Sequence, residues 1–190
     1  MRIVLASTSP RRRQLLAQAG YVFDAVSPKL DESAFVRTSP TTRGFAEELA
    51  LAKAASVAAD FPDALVVGAD TICDLDGEVI GKAADARHAE RITRRLFSKP
   101  HLVITGLALI RRSRNIEIVQ SDVTTVYPRK LTESQIAEHV ASGGWEGKAG
   151  AYAIQEVGDA FVERIEGSFT NVMGMPMELL RRLQDALWSQ

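Results

Sequence analysis

The chain is poor in the residues that staple small secreted folds or build metal clusters, with one cysteine and three histidines in 190 residues. Cys73 alone excludes an internal disulfide and a cysteine-cluster zinc site, and it reads as a small core residue. His88, His101 and His139 each lack a second His or Cys at ligand spacing. Long apolar runs are missing as well. Nothing approaches the roughly 20 residues of a membrane span, and the start, Met1 to Ala6, is far too short for a signal-peptide core. The expectation is a cytoplasmic protein. Charge of one sign is not in excess either: 23 basic against 24 acidic side chains give no reason to expect general nucleic-acid or membrane binding. A polyanion would have to be held by a local cluster. No repeat, low-complexity tract or composition break divides the chain, so residues 1–190 read as one α/β unit.

What is present centres on Leu65-Val66-Val67-Gly68-Ala69-Asp70-Thr71-Ile72, an apolar strand that runs into a carboxylate. An apolar run of this length predicts a strand covered on both faces. Strand alternation puts Val66, Gly68, Asp70 and Ile72 on one face and Leu65, Val67, Ala69 and Thr71 on the other. Asp70 is thus expected on a largely buried face near the strand's carboxyl end, where open α/β sheets keep their ligand crevice. The competing explanation is a carboxylate that pairs with a neighbouring cation or caps a turn.

Ahead of it, Ile3 to Ala6 predicts a short strand, and Ser9-Pro10 a helix start with proline at the first helical position, the helix running to Ala19 and Gly20. Arg11-Arg12-Arg13 occupy its first turn, where each cation opposes the helix macrodipole by roughly 0.3–1 kcal/mol. An anion would resolve that conflict. Ser7, Thr8 and Ser9 add hydroxyls beside free backbone N–H groups, which together make a phosphate site at a helix N-terminus; a solvated basic helix start is the alternative. Asp31-Glu32 lie in the loop after a strand over Tyr21 to Ser27; adjacent loop acids are usually just solvated, and the alternative, after a helix start able to grip phosphates, is that one of them holds the metal that phosphates need. A helix from Thr41 or Thr42 to Ala59 is expected to bury Phe45, Leu49, Ala52 and Ser56, with Lys53 at the margin of that stripe.

After the central strand, Asp76-Gly77 signals a tight hairpin that returns through Val79-Ile80 and brings Gly81-Lys82 back towards Asp70. A helix follows over Asp85 to Phe97, with Ala89, Ile92 and Leu96 inward. Leu102 to Ile110 and Ile116 to Tyr127 predict a broad antiparallel hairpin, and Thr132-Glu133 opens a helix through Ala141. The glycine-rich stretch from Gly143 to Gly150 resembles a backbone cradle before a short strand, but lacks the spacing of a P-loop. Phe161 to Ile165 reads as a strand, Gly167 to Asn171 as a turn, and Met177 to Trp188 as a closing helix. Met173, Met175 and Met177 read as packing residues.

In order along the chain, Ser7-Thr8-Ser9-Pro10-Arg11-Arg12, Asp31-Glu32, Ala52-Lys53-Ala54, Gly68-Ala69-Asp70-Thr71, Gly81-Lys82, Lys148 to Gln155, Gly167-Ser168 and Asn171 to Pro176 resemble the Maf family of nucleoside triphosphate pyrophosphatases. Ala83 departs from it, since the family usually has proline after the Gly-Lys. The resemblance implies an α/β fold like that of inosine-triphosphate pyrophosphatases, with a mixed central sheet and a cleft between two lobes. It also implies hydrolysis of a nucleoside triphosphate to the monophosphate and pyrophosphate with a divalent cation, Mg2+ or Mn2+, and frequent homodimers. Arg11, Arg12, Lys53 and Lys82 have the charge to neutralise the triphosphate, with Ser7 and Ser9 beside them. Glu32 and Asp70 have the oxygen ligands magnesium takes. Asp70 would activate the water, as general base or through the metal. Residues matching Arg12, Thr71 and Gln155 accompany the dTTP/UTP subgroup. The Gln155 amide, donor and acceptor at once, suits the edge shared by uracil and thymine. The alternatives are a nucleotide-binding regulator of cell division with little turnover and a pyrophosphatase of the 7-methyl-GTP type.

Overall fold

The computed structural model describes residues 2–152 and 161–188. Its centre is a mixed sheet whose strands, in spatial order, are β2 (Phe23–Val26), β1 (Ile3–Ala6), β3 (Leu65–Leu75), β5 (His101–Arg111), β6 (Ile116–Pro128) and β7 (Val162–Glu166). Strands β1, β2 and β3 run parallel, while β5, β6 and β7 add antiparallel neighbours. The short β4 (Glu78–Ile80) pairs with the far end of β3 across a two-residue turn. Asp76 and Gly77 both take positive φ there, 55° and 84°, as a primed hairpin turn requires.

The two faces are covered differently. Leu65, Val67 and Ala69 of β3, with Leu107 and Leu109 of β5, pack against Leu16 of α1 (Pro10–Gln18) and Leu179, Leu180 and Leu183 of α6 (Met177–Trp188). Farther along that face, Cys73 and Val103 meet Ala89, Ile92 and Leu96 of α3 (Ala86–Leu96). Met175 and Met177 join the first of these clusters, as expected. The opposite face carries α2 (Thr42–Ala58), which lies over β3 and β5.

Contact between α2 and the sheet corrects the expected stripe. The buried positions are Thr42, Ala46, Leu49, Ala50, Lys53, Ala54, Val57 and Ala58, whereas Phe45, Ala52 and Ser56 are only partly covered. Small residues recur every four positions because the helix backbone rests directly on two glycines. A Cβ on Gly68 would collide with the Ala50 carbonyl, and one on Gly106 with that of Ala46. A helix placed by large side chains would stand farther off the sheet.

Other boundaries shift. The second strand is shorter than expected, Phe23–Val26, and the stretch read as a turn after Gly167 holds the one-turn helix α5 (Phe169–Val172), capped by the Ser168 hydroxyl. Helix α4 (Glu133–Ala141) begins with a full Thr132/Gln135 capping box. The expected short strand beyond Tyr152 falls mostly outside the described residues. Among the described residues no helix is long and apolar enough to cross a membrane.

Candidate active site

The site arises from unequal strand lengths. Strand β1 stops at Ala6, opposite Gly68, while β3 continues, and β4 joins the same edge only at Cys73. Among the described residues no strand lies beside 69–72 on that edge, and a cavity of about 700 Å3 opens there. Asp70 is not at the end of its strand, as expected, but in the middle of it, since β3 runs on to Leu75. The end that matters is that of β1.

Because side chains alternate, the cavity wraps over the edge of β3 and is lined from both faces. On the α2 face, Asp70 is flanked by Gly68 and lies opposite Gly106 in β5. It is 7% exposed, and its Oδ1 accepts from the Lys53 ammonium. That same ammonium lies 2.8 Å from Oε1 of Glu32. Lys53, expected at the margin of the helix stripe, is 7% exposed and held between two carboxylates. Of the adjacent acids, only Glu32 takes part; Asp31 folds back onto the Ser33 amide and hydroxyl. Burial pushes the Glu32 carboxyl up, but the Lys53 hydrogen bond and charge, with Lys82 and Arg12 behind them, outweigh it and hold the group below its ordinary value.

Lys82 stands 3.9 Å from Glu32 Oε2. Its backbone is fixed by a bridge to Ala149 and by the Gly150 N–H on the Gly81 carbonyl. These two contacts anchor the turn that carries Lys82. Through the same bridge the glycine-rich stretch reaches the cavity and delivers Lys148, which the sequence marks as part of a weak cradle and of the family resemblance but not as a site residue. Burial lowers the Lys148 pKa, and the neighbouring positive charge of Arg11 lowers it further.

Facing these groups is the start of α1. The Ser9 side chain makes no capping bond and Pro10 brings no N–H, so the first-turn amides of Arg11 and Arg12 are left without a side-chain cap. The buried Ser7 hydroxyl accepts from the Ser9 amide at 3.1 Å and from Arg12 Nη1 at 3.3 Å. Arg12 also donates from Nε to the Gly174 carbonyl at 2.8 Å and from Nη2 to Thr71 at 3.1 Å. Burial lowers the pKa of both arginines; for Arg12, Asp70 and Glu32 oppose the shift. Arg13 turns outward to the Thr8 carbonyl.

The opposite end of the cavity is apolar. Cys73, Val103, Ala149, Tyr152 and Val172 form its wall beside Thr71. The Cys73 thiol, pushed up to about 12 by burial, stays protonated and is no nucleophile. His101 and His139, read as isolated, secure this wall from behind. His101 Nε2 lies 2.6 Å from the Tyr152 hydroxyl, and His139 Nε2 lies 2.8 Å from the carbonyl of Ala151, a non-glycine residue at φ 57°. Gln155 lies outside the described residues.

Among the described residues five cations and three carboxylates line a cavity with one basic end and one apolar end. Its donors suit an anion that also carries a flat apolar group. Glu32 and Asp70 supply the oxygen donors a hard divalent cation takes, and among the described residues no His, Cys, Asp and Glu side chains gather into a fuller metal cage.

Fold and site thus define an α/β protein with a crevice, lined by cationic side chains, at the end of a parallel strand and over the N-terminus of the following helix. Residues 2–187 match the family described as Maf-like protein, and the chain belongs to that family. It is 43% identical over 176 residues to the dTTP/UTP pyrophosphatase of Geobacter metallireducens, covering 93% of this chain and 91% of that one. Similarity to the dTTP/UTP pyrophosphatase of Pelotomaculum thermopropionicum is 43% over 185 residues, 97% and 94% of the two chains. The structure of the Staphylococcus aureus Ham1 protein is more distantly similar, with a TM-score of 0.48 and 14% identity over 68% of this chain and 73% of that one.

Proposed function

We propose that this protein hydrolyses dTTP and UTP to the nucleoside monophosphate and pyrophosphate. The observation that carries the reading is Lys53 held between Asp70 and Glu32, directly across from an uncapped, arginine-bearing helix start. The names of the family relatives agree with it. In this reading the phosphates occupy the basic end, among Ser7, Ser9, Arg11, Lys82 and Lys148, and the base occupies the apolar end beside Thr71. Arg12 stands between the two.

Water attacks the α-phosphorus; a bond from its oxygen forms as the bond to the bridging oxygen of the β-phosphate breaks, and pyrophosphate leaves. In this reading Asp70 takes the water's proton. Charge growing on the leaving pyrophosphate is met by Arg11, Lys82, Lys148 and the α1 amides, which are already oriented before reaction. Lys53 keeps Asp70 and Glu32 adjacent despite their like charge. The donor set fits a Mg2+ or Mn2+ ion, which Glu32 and Asp70 would hold with phosphate oxygens and water completing its shell. When bound, such an ion supplies charge neutralisation at the phosphate oxygens.

Pyrophosphate release from a nucleotide panel tests this, with water carrying a heavy oxygen label. We expect UTP and dTTP to be turned over well ahead of GTP and 7-methyl-GTP, with the label in the monophosphate. Asp70→Asn is expected to cut kcat by roughly 10²–10⁴ while nucleotide affinity changes little. Label in the pyrophosphate would overturn attack at the α-phosphorus, and binding without turnover would favour the regulator alternative.

A further inference from the structure

Thr71 and Thr105 are direct cross-strand partners in β3 and β5, with hydroxyl oxygens 2.9 Å apart. Thr105 is fully buried and lies outside the cavity lining. Its oxygen is also 3.0 Å from the carbonyl of Asn171, a group that can only accept. Thr105 has a single proton to give. Aimed at Thr71, that proton would leave two oxygens facing each other without a hydrogen at Asn171, where the 0% exposure of Thr105 and Asn171 keeps water from intervening. It therefore goes to Asn171, whose carbonyl also takes the Gly174 N–H at 2.9 Å. Thr71 must then donate to Thr105.

The direction of this chain has a consequence for the cavity. The Thr71 proton is committed inward and one of its lone pairs accepts from Arg12 Nη2. One lone pair remains. Beside it, Arg12 gives one N–H each to Ser7, Gly174 and Thr71, so among the described residues two of its five are left to donate. An acceptor next to a donor complements a ligand edge that carries an N–H next to a carbonyl.

We propose that Thr105 is a positioning residue that fixes the Thr71 hydroxyl as an acceptor toward the ligand, so that the site selects the ring N–H of a uracil or thymine imide. This inference rests on the nucleotide reading above.

Titration calorimetry with dTMP, which is not turned over, tests it, with tripolyphosphate as a control that has no base. Thr105→Val is expected to weaken dTMP binding by about threefold to tenfold, the worth of one hydrogen bond, and to leave tripolyphosphate affinity unchanged. Thr105→Ser restores the hydroxyl and the affinity. If Thr105 acts only through Thr71, adding Thr105→Val to a Thr71→Val background changes nothing further. Additive losses in the double variant, equal losses for tripolyphosphate, or no dTMP binding by the unmodified protein would each overturn the assignment. Should Thr105→Val not fold, the unmodified protein is titrated with the N3-methyl analogue of dTMP, and equal affinity for the two overturns it. Pyrophosphate release from dTTP is scored separately. Its absence would overturn the enzymatic reading, while the dTMP series still decides the role of Thr105.

Discussion

Arg11 and Arg12 are neighbours in sequence, and their shared place in the first helical turn predicts that both bind phosphate and that removing either relieves an unfavourable helix-dipole interaction. The structure separates them. Arg12 spends three of its N–H groups on Ser7, Thr71 and Gly174, tying α1 to β3 and to the start of α6. Those bonds outweigh a dipole penalty of roughly 0.3–1 kcal/mol. Arg12→Ala is therefore expected to lower stability by about 1–3 kcal/mol without ligand, since Thr71 and the Gly174 carbonyl lose a charged donor. Arg11, partly desolvated and beside Lys148, loses only like-charge repulsion and dipole conflict on mutation, so Arg11→Ala should melt no lower than the unmodified protein yet bind triphosphate more weakly. Equal melting temperatures for the two variants would refute this division. What the sequence showed was the charge and the helix position of each arginine. It could not show the acceptor 162 residues away that decides their difference. Lys53 illustrates the same limit: its spacing placed it at a stripe margin, and only the fold brings Glu32 and Asp70 to either side of it.

At the scale of elements, helix α2 sets the height of Lys53 above the sheet, and Gly68 and Gly106 set the height of α2. Gly106 lies directly opposite Asp70, so the room it leaves for the helix is also the room in which Lys53 reaches the carboxylate. Gly106→Ala would press a methyl group into the backbone of α2 at Ala46, and packed cores resist such insertion at a cost of typically 1–3 kcal/mol. We expect this substitution to lower urea stability by about that amount and to reduce turnover beyond the loss of folded protein, because the helix must lift and Lys53 with it. A variant as active per folded molecule as the original would show that the approach of α2 does not position the site. Most elements were legible in the sequence, because capping residues, the Asp76-Gly77 turn and strand alternation are local signals. The α2 packing face was not. Its alanines give a weak periodicity, and the glycines that receive them lie on two other strands.

The whole molecule joins its parts through a few buried polar groups, and these make its stability depend on acid. His101, at the start of β5, is 2% exposed. Its Nδ1 lies 3.2 Å from the Leu96 carbonyl, so Nδ1 carries the proton and Nε2 is left to accept from Tyr152. This neutral ring ties the central sheet to the stretch that bears Lys148. Burial is the main reason its pKa falls from 6.5 to about 4, against the raising effect of its backbone hydrogen bonds. Because the folded value is the lower one, the unfolded chain takes up a proton first as the pH drops. Stability is complete above 6.5 and is lost progressively down to about 4. Glu32, with its pKa also held down, adds a loss in the same direction at lower pH, small because its carboxylate is half exposed. Between about pH 7 and about pH 4.5 the His101 contribution alone amounts to about 2–3 kcal/mol. Urea unfolding at those two pH values measures it. In His101→Gln, which keeps an acceptor for Tyr152 but does not titrate, we expect lower stability near pH 7 and a fall on acidification smaller by about 2–3 kcal/mol. An unchanged fall in the variant would mean that other groups carry the acid sensitivity and that the folded protein protonates this ring as readily as the unfolded chain does, so that on acidification the ring would donate to Tyr152 rather than accept from it.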